Sequence, residues 1–295
     1  MSYQLLSINN LQPLIEDWKA NVVNSLGADY DTERLAEYAL HISRILAYPD
    51  LDVKVMVDKI DAMGRELVLA TKDLMPLRPT QIIEKINHFL FKEKEFRANL
   101  QDYYNPLNSY VNIVLEQKSG IPITMSIIYM RVAHLLKFRL YAVNFPAHFL
   151  VKHILEGDSS EIIIDPFNGG RIMDDYTMKE LLDQFYPGQN IPLTRAFVQK
   201  ATSAQVIIRM LNNLKASYYE SQDIDKAEIA NEMIIAIESH NPDAVRDKGM
   251  ILLKRKKHLE ALDMLNMYLD LDPEAEDADA VLDIIRQVRV EINKK

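Results

Sequence analysis

A chain of 295 residues with 48% hydrophobic residues is long enough for two domains of about 100 to 200 residues and apolar enough to pack a core in each. It contains no cysteine, which excludes disulfides, thiolate metal sites and any thiol nucleophile, and fits a reducing compartment. The net charge of -9 argues against a nucleic-acid partner, because phosphate-backbone binding needs clustered Lys and Arg. The one basic run, Lys254-Arg255-Lys256-Lys257, reads as a solvated helix end. The opening MSYQLLSINN has no basic region followed by an apolar run, and no stretch approaches about 18 apolar residues, so the expectation is a cytoplasmic protein with no membrane partner.

In chain order, Leu35, Ala39, Ile42, Ile45 and Leu46 repeat at helical spacing over 31–47, and Pro49 ends that run. A second helix is predicted over 51–71 on the stripe Val53, Met56, Val57, Ile60, Met63 and Leu67. A third begins near Pro79 and carries Ile82, Ile83, Ile86, Phe89 and Leu90, giving an antiparallel helical layer. Residues 91–106 turn polar and aromatic and read as an ordered loop. Asn108 is placed as the N-cap of a short helix through Val111, Val114 and Leu115 that stops at Gly120. Pro122 opens the next helix, over 123–137, at a position that needs no backbone N–H. That helix is apolar on most sides, so it is predicted to be buried and central. Three β-prone runs follow, 140–145, 147–154 and 161–165, the last two flanking the turn signal Glu156-Gly157-Asp158-Ser159.

A hairpin centred near Gly157 pairs residues whose numbers sum to about 314, which sets His148 opposite Asp165 or its neighbour. Opposed side chains there lie roughly 4.5 to 5.5 Å apart at Cβ. A His–Asp hydrogen bond at that separation fixes the ring tautomer and serves either acid–base chemistry or simple structure. The hydroxyls nearest the start of the central helix, Thr124 and Ser126, read as capping or packing groups. His148 and His153 are five apart on a strand and face opposite sides, so neither metal nor cofactor is expected. The acidic run 270–277 lacks the Gly and terminal Glu of a calcium loop and reads as an acidic helix start. Asn99, Tyr103, Tyr104, Asn105, Asn108, Asn144 and Asn168 form a neutral polar set suited to a peptide-like ligand or to bracing of loops.

The C-terminal third repeats itself. At an offset of 34, Tyr219 aligns with Leu253, Ile224 with His258, Ala227 with Ala261, Ala230 with Met264 and Ile237 with Leu271. That period with small residues at helix contacts is the tetratricopeptide signature, and Asn241-Pro242 and Asp272-Pro273 mark the repeat ends. Two units are too few to stand alone, so 278–292 is expected as a closing helix.

The strings FRANLQDYYNPLNSYVNIVLEQKSGIPITMSIIYMRVAHLL, VNFPAHFLVKH and IIIDPFNGG, in that order, resemble the SirB family of bacterial proteins. The likeness covers roughly residues 36–295 and implies a papain-like, transglutaminase-like core followed by tetratricopeptide-like repeats. By that resemblance His148 and Asp165 match the family's histidine and aspartate. The nucleophile position falls at Gly120-Ile121-Pro122, nearest Pro122, which has no nucleophilic side chain. Ala98 and Ala147 stand where the family pattern has glycine. The fold class expected is mostly helical α+β, with a transglutaminase-like domain over 1–200 and a repeat domain over 201–295. The function expected is non-catalytic binding of a protein or peptide partner through the repeats and a vestigial cleft lined by Asn108, Asn144, Tyr104 and Asn168. The alternative is a cysteine-independent amide or ester hydrolase or acyl transferase using His148 and Asp165; the oligomeric state stays open.

Overall fold

The computed structural model describes residues 11–27, 32–72, 76–155, 157 and 160–293. The opening segment MSYQLLSINN, Asp31 at the start of the first predicted helix, and Glu156, Asp158 and Ser159 of the hairpin turn lie outside the described residues. The chain forms two compact units, Ser25–Met210 and Met1–Asn24 with Leu211–Lys295. The first helix therefore groups with the C-terminal third, whereas the sequence division drew residues 1–200 together.

In the unit Ser25–Met210, α2 (Leu35–Leu46), α3 (Val53–Thr71) and α4 (Pro79–Asn87) form the helical layer. Asp52 caps α3 by accepting the Val55 N–H at 3.0 Å. α5 (Val111–Gln117) leads into the central helix α6 (Pro122–Leu135), which is buried at every position from Pro122 to Met130. This is the buried helix the apolar composition predicted. α3 and α6 approach closely at Gly64, where a Cβ would stand 2.8 Å from the Leu135 Cβ. The Arg131 guanidinium adds a two-pronged ion pair to Asp61 at 2.6 and 2.7 Å.

The sheet is an antiparallel meander of β3 (Tyr141–Val143), β4 (Leu150–Ile154), β5 (Glu161–Asp165) and β6 (Arg171–Met173). β4 and β5 pair Val151 with Ile164 and Lys152 with Ile163, one residue out from the expected register. Because β4 begins only at Leu150, His148 lies in the turn before the strand and not on it. A second, two-residue parallel pair joins β1 (Arg97–Ala98) to β2 (Ser119–Gly120) inside the stretch read as loop. α7 (Asp175–Phe185) follows β6 and is started by Asp174, whose side chain accepts the Thr177 N–H at 2.8 Å.

Two local expectations are corrected. The left-handed residue that ends α5 is Lys118, at φ 56°, not Gly120. Gly120 is needed for space instead, since a Cβ there would meet the Val114 Cγ1 at 2.8 Å and the Thr124 Oγ1 at 2.9 Å. Asn108 is not an N-cap: Asn105 takes that role for the 3-10 turn Pro106–Ser109, accepting the Leu107 N–H at 2.9 Å, and Tyr110 precedes α5.

In the second unit, α1 (Leu11–Asn21) packs on α9 (Ile224–Ile237) through Trp18, which is fully buried and donates from Nε1 to the Met233 carbonyl at 3.1 Å. α10 (Pro242–Lys254) and α11 (His258–Leu271) form a helical pair, and α12 (Ala278–Asn293) closes on α11. α8 (Ser203–Glu220) contains the boundary between the units. α9 and α11 begin at Ile224 and His258 and end at Ile237 and Leu271, so both helix ends obey the period read from sequence. Ala227 and Ala261, equivalent in the two repeats, are both fully buried, as close helix pairing requires.

Candidate functional site

Phe145-Pro146-Ala147-His148 is a tight turn closed by the His148 N–H donating to the Phe145 carbonyl at 3.1 Å. Proline stands at its second position, and the third, Ala147, has φ 52°, the pattern of a type II turn. That third position favours glycine, so alanine here carries backbone strain beside the histidine. Ala98, the other departure from the family's glycines, lies in β1 and is not among the residues with positive φ.

The turn delivers His148 to Asp165, with Nε2 at 3.0 Å from Oδ1. Both side chains are buried, at 4% and 1% exposure. Asp165 ends β5, and its Oδ1 also accepts the N–H groups of Phe167 and Asn168, at 3.1 and 3.3 Å. Its Oδ2 accepts Asn168 Nδ2 at 2.7 Å. A carboxylate so surrounded by donors holds the ring in the Nε2–H tautomer and leaves the Nδ1 lone pair free to act as a base. Nδ1 makes no hydrogen bond within the described residues. The Phe167 and Phe185 rings pack on the imidazole, with centroids 5.8 and 6.2 Å away.

The Asp165 turn is braced from the central helix. The Tyr129 hydroxyl donates to Asn87 Oδ1 and Asn87 Nδ2 donates to the Gly170 carbonyl, each at 2.8 Å. Burial pushes the Tyr129 phenol well above its ordinary range, which keeps it a neutral donor. Gly170 has φ 74°, and a Cβ there would fall 1.8 Å from Asn87 Oδ1.

At the start of α6, Pro122 is buried and Ile121 is the N-cap. The Thr124 hydroxyl accepts the Ile121 N–H at 3.2 Å and donates to the Asn108 carbonyl at 2.9 Å. Ser126 is buried, and its hydroxyl has no partner within the described residues. Asn108, 2% exposed, donates from Nδ2 to the carbonyls of Asp102 at 2.5 Å and Tyr103 at 3.2 Å, and accepts Asn99 Nδ2 at 2.8 Å. The Tyr103 ring meets Phe167 edge-on at 6.2 Å, so an unbroken line of contacts runs from Thr124 through Asn108, Tyr103 and Phe167 to His148.

Of the other residues singled out in the sequence, Asn168 holds Asp165 as described. Tyr104 is 76% exposed beside Tyr103, with ring centroids 5.3 Å apart. Asn144 stands apart from the Asp165 bonds, its buried Oδ1 without a partner within the described residues. Sequence reasoning missed Asn87 and Phe185, and above all Arg209, whose Nη1 donates to the Phe145 carbonyl at 3.0 Å. Among the described residues no group of three or more His, Cys, Asp or Glu could hold a metal ion, and no helix is long and apolar enough to cross a membrane.

Residues 54–212 match a model described as the transglutaminase-like superfamily, and 214–286 match one described as a tetratricopeptide repeat. The chain belongs to the transglutaminase-like superfamily, among the UPF0162 proteins. It is 32% identical over 272 residues to a UPF0162 protein of Xylella fastidiosa strain 9a5c, covering 91% of this chain and 95% of that one. It is 25% identical to UPF0162 protein YchA of Escherichia coli K12 over 234 residues, 78% of this chain and 83% of that one. It is also 31% identical over 215 residues to F-box only protein 21 of Mus musculus, 66% of this chain but 32% of that protein. No solved structure matches the chain.

Proposed function

We propose that this protein is a non-catalytic cytoplasmic scaffold or regulator of the SirB type, which binds a protein or peptide through its tetratricopeptide-like repeats and a vestigial transglutaminase-like cleft. The observation that carries the reading is the absence of any cysteine from a chain whose core matches a transglutaminase-like model and retains a His148–Asp165 pair. By resemblance the nucleophile position falls at Pro122, an imino acid that cannot attack a carbonyl. The nearest alcohols do not replace it. Thr124 is occupied as a brace of the helix start, and Ser126 is buried with no base bonded to it within the described residues. Phe167 and Phe185 covering the imidazole also fit a structural use of the pair better than a solvent-fed reaction centre. The repeat match gives the binding half of the reading, because stacked helix pairs of this type present a groove for peptides.

The unpartnered Nδ1 of His148 favours a second reading, a cysteine-independent amide or ester hydrolase or acyl transferase that uses His148 as base and Asp165 to orient it. One pair of measurements separates the two. Full-length protein is expected to turn over no amide or ester substrate, and in-cell cross-linking in the organism of origin is expected to join the 214–286 region to a defined partner. Turnover that disappears in His148→Ala would replace the first reading by the second, and absence of any cross-linked partner would remove the binding function.

A further inference from the structure

Among the described residues, Arg209 is a cation beside the site without an acidic partner. Its Nη1 is pinned to the Phe145 carbonyl at 3.0 Å, and its guanidinium carbon lies 5.7 Å from the centre of the Phe149 ring. The same carbonyl accepts the His148 N–H, so the charge is fixed at the base of the turn that presents the histidine. The ionisable side chains near enough to act on it electrostatically are the phenols of Tyr103 and Tyr186, and among the described residues no carboxylate does. Within the described residues Arg209 has no acidic partner, whereas Arg131 has Asp61, Arg34 has Glu37 and Arg255 has Asp225 and Glu228. Neither the Tyr103 nor the Tyr186 hydroxyl is hydrogen-bonded within the described residues. Burial lowers the proton affinity of the guanidinium, the mark of a charge that has lost water without gaining an anion.

We propose that Arg209, with the hydroxyls of Tyr103 and Tyr186, is a recognition site for one carboxylate of a bound peptide, beside the turn of His148. This rests on the reading of the core as a peptide-binding cleft and names the chemistry that cleft selects. A guanidinium fork with free N–H groups matches the two oxygens of a carboxylate, and a phenol adds a donor without adding charge. A single cation suits a monoanion better than a dianionic phosphate, and among the described residues no second cation acts on Arg209. Tyr104 and Phe185, 76% and 40% exposed, flank Tyr103 and Tyr186 in sequence and supply apolar surface for the rest of a peptide.

The carboxylate could come from a chain terminus or from an Asp or Glu side chain, and the test separates them. The Arg209 Nε–H signal of the full chain, assigned by its loss in Arg209→Lys, is followed by NMR at constant ionic strength. N-acetylglycine mimics a terminus, N-acetylglutamate α-amide an internal Glu; acetamide and inorganic phosphate are controls. The expected result is a saturable shift with at least one carboxylate, the tighter one naming the source, and none with acetamide. Affinity should fall about tenfold in the Tyr103→Phe/Tyr186→Phe double variant, which keeps the rings and the fold. No saturable shift with either carboxylate, or an equal response to phosphate or acetamide, overturns the proposal and makes Arg209 only a brace of the Phe145 carbonyl. Partner cross-linking retained in Arg209→Gln alongside such a null titration would fail this inference alone. Loss of every cross-linked partner from the unaltered chain would fail the wider reading.

Discussion

His148 and Asp165 are bonded at 3.0 Å although their backbones are not opposed in the β4–β5 ladder, because the Phe145–His148 turn, not the strand register, sets the imidazole against the carboxylate. Asp165 also gathers the N–H groups of Phe167 and Asn168 and the Asn168 amide, so removing it strands the buried donors of His148 and Phe167 and loosens the part-buried ones of Asn168. Asp165→Ala is expected to cost about 3 kcal/mol or more in urea denaturation, and Asp165→Asn, which keeps one acceptor, about half as much. A loss within about 0.5 kcal/mol for Asp165→Ala would show that the pair does not hold the turn.

Ala147 offers the opposite sign of change. At φ 52° a side chain costs about 1 to 2 kcal/mol, while glycine gives back about 0.5 to 1 kcal/mol through its greater freedom in the unfolded chain. Ala147→Gly should therefore be neutral to stabilising, by up to about 1 kcal/mol, whereas most substitutions beside a buried pair destabilise. The melting midpoint of the single variant, read against wild type, checks the direction.

The parts of this molecule that were legible in the sequence are those governed by long periodicity. α9 and α11 fall one repeat apart at both ends because the buried faces of paired helices recur with the repeat, and α6 is buried from Pro122 to Met130 because the mostly apolar residues of that span present no charged face. Short elements were not legible: β6 has three residues, and β1 and β2 have two each, too few for alternation to register. The site was half readable. His148, Asp165 and Asn168 can be named from the sequence, although it is the Phe145–His148 turn, not the hairpin register, that brings the histidine to the aspartate. Asn108 reads as a cap in the sequence, but Asn105, three residues earlier and followed directly by Pro106, is the better start signal. Arg209 left no signal at all, since an arginine in an amphipathic helix reads as solvated until tertiary structure brings Phe145 and Phe149 to it.

Gly170 and Asn87 should behave as a coupled pair. Gly170→Ala places a methyl group into Asn87 Oδ1 on a backbone at φ 74°, and is expected to lose at least about 2 kcal/mol. Asn87→Ala removes the clash and also the bonds to Gly170 and Tyr129, leaving the φ strain in place. The double variant should thus be less destabilised than the sum of the singles, by about 1 kcal/mol or more, in a double-mutant cycle. Additivity would mean that the close approach of turn and α4 is not maintained in solution.

Acid should loosen the repeat unit at a defined place. The Tyr268 hydroxyl, followed by Arg246, holds the Asp277 carboxyl below its ordinary range, with burial opposing them. A depressed carboxyl pKa in the folded state contributes stability above about pH 4, its unfolded value, and that contribution is lost as pH falls through the folded value. Asp277 is 41% exposed, so solvent screening keeps the effect below about 1 kcal/mol. Tyr268→Phe should flatten the stability profile below about pH 4, relative to wild type, and leave the slope near neutral pH unchanged.

Thr124 supplies the sharpest contrast between a braced helix start and a catalytic one. Its hydroxyl joins Ile121, Asn108 and the first turn of α6, all in buried surroundings, and its side chain is fully buried. Thr124→Val keeps the shape and removes the hydroxyl, leaving the Ile121 N–H and the Asn108 carbonyl without their partner, at a cost of about 2 kcal/mol. Thr124→Ser restores both hydrogen bonds and should recover most of that loss, because only a methyl group is missing. Under the non-catalytic reading all three proteins cross-link to the same partner at temperatures where each is folded. A serine variant that gains hydrolytic turnover which Thr124→Val lacks would instead make this hydroxyl the nucleophile and His148 its base.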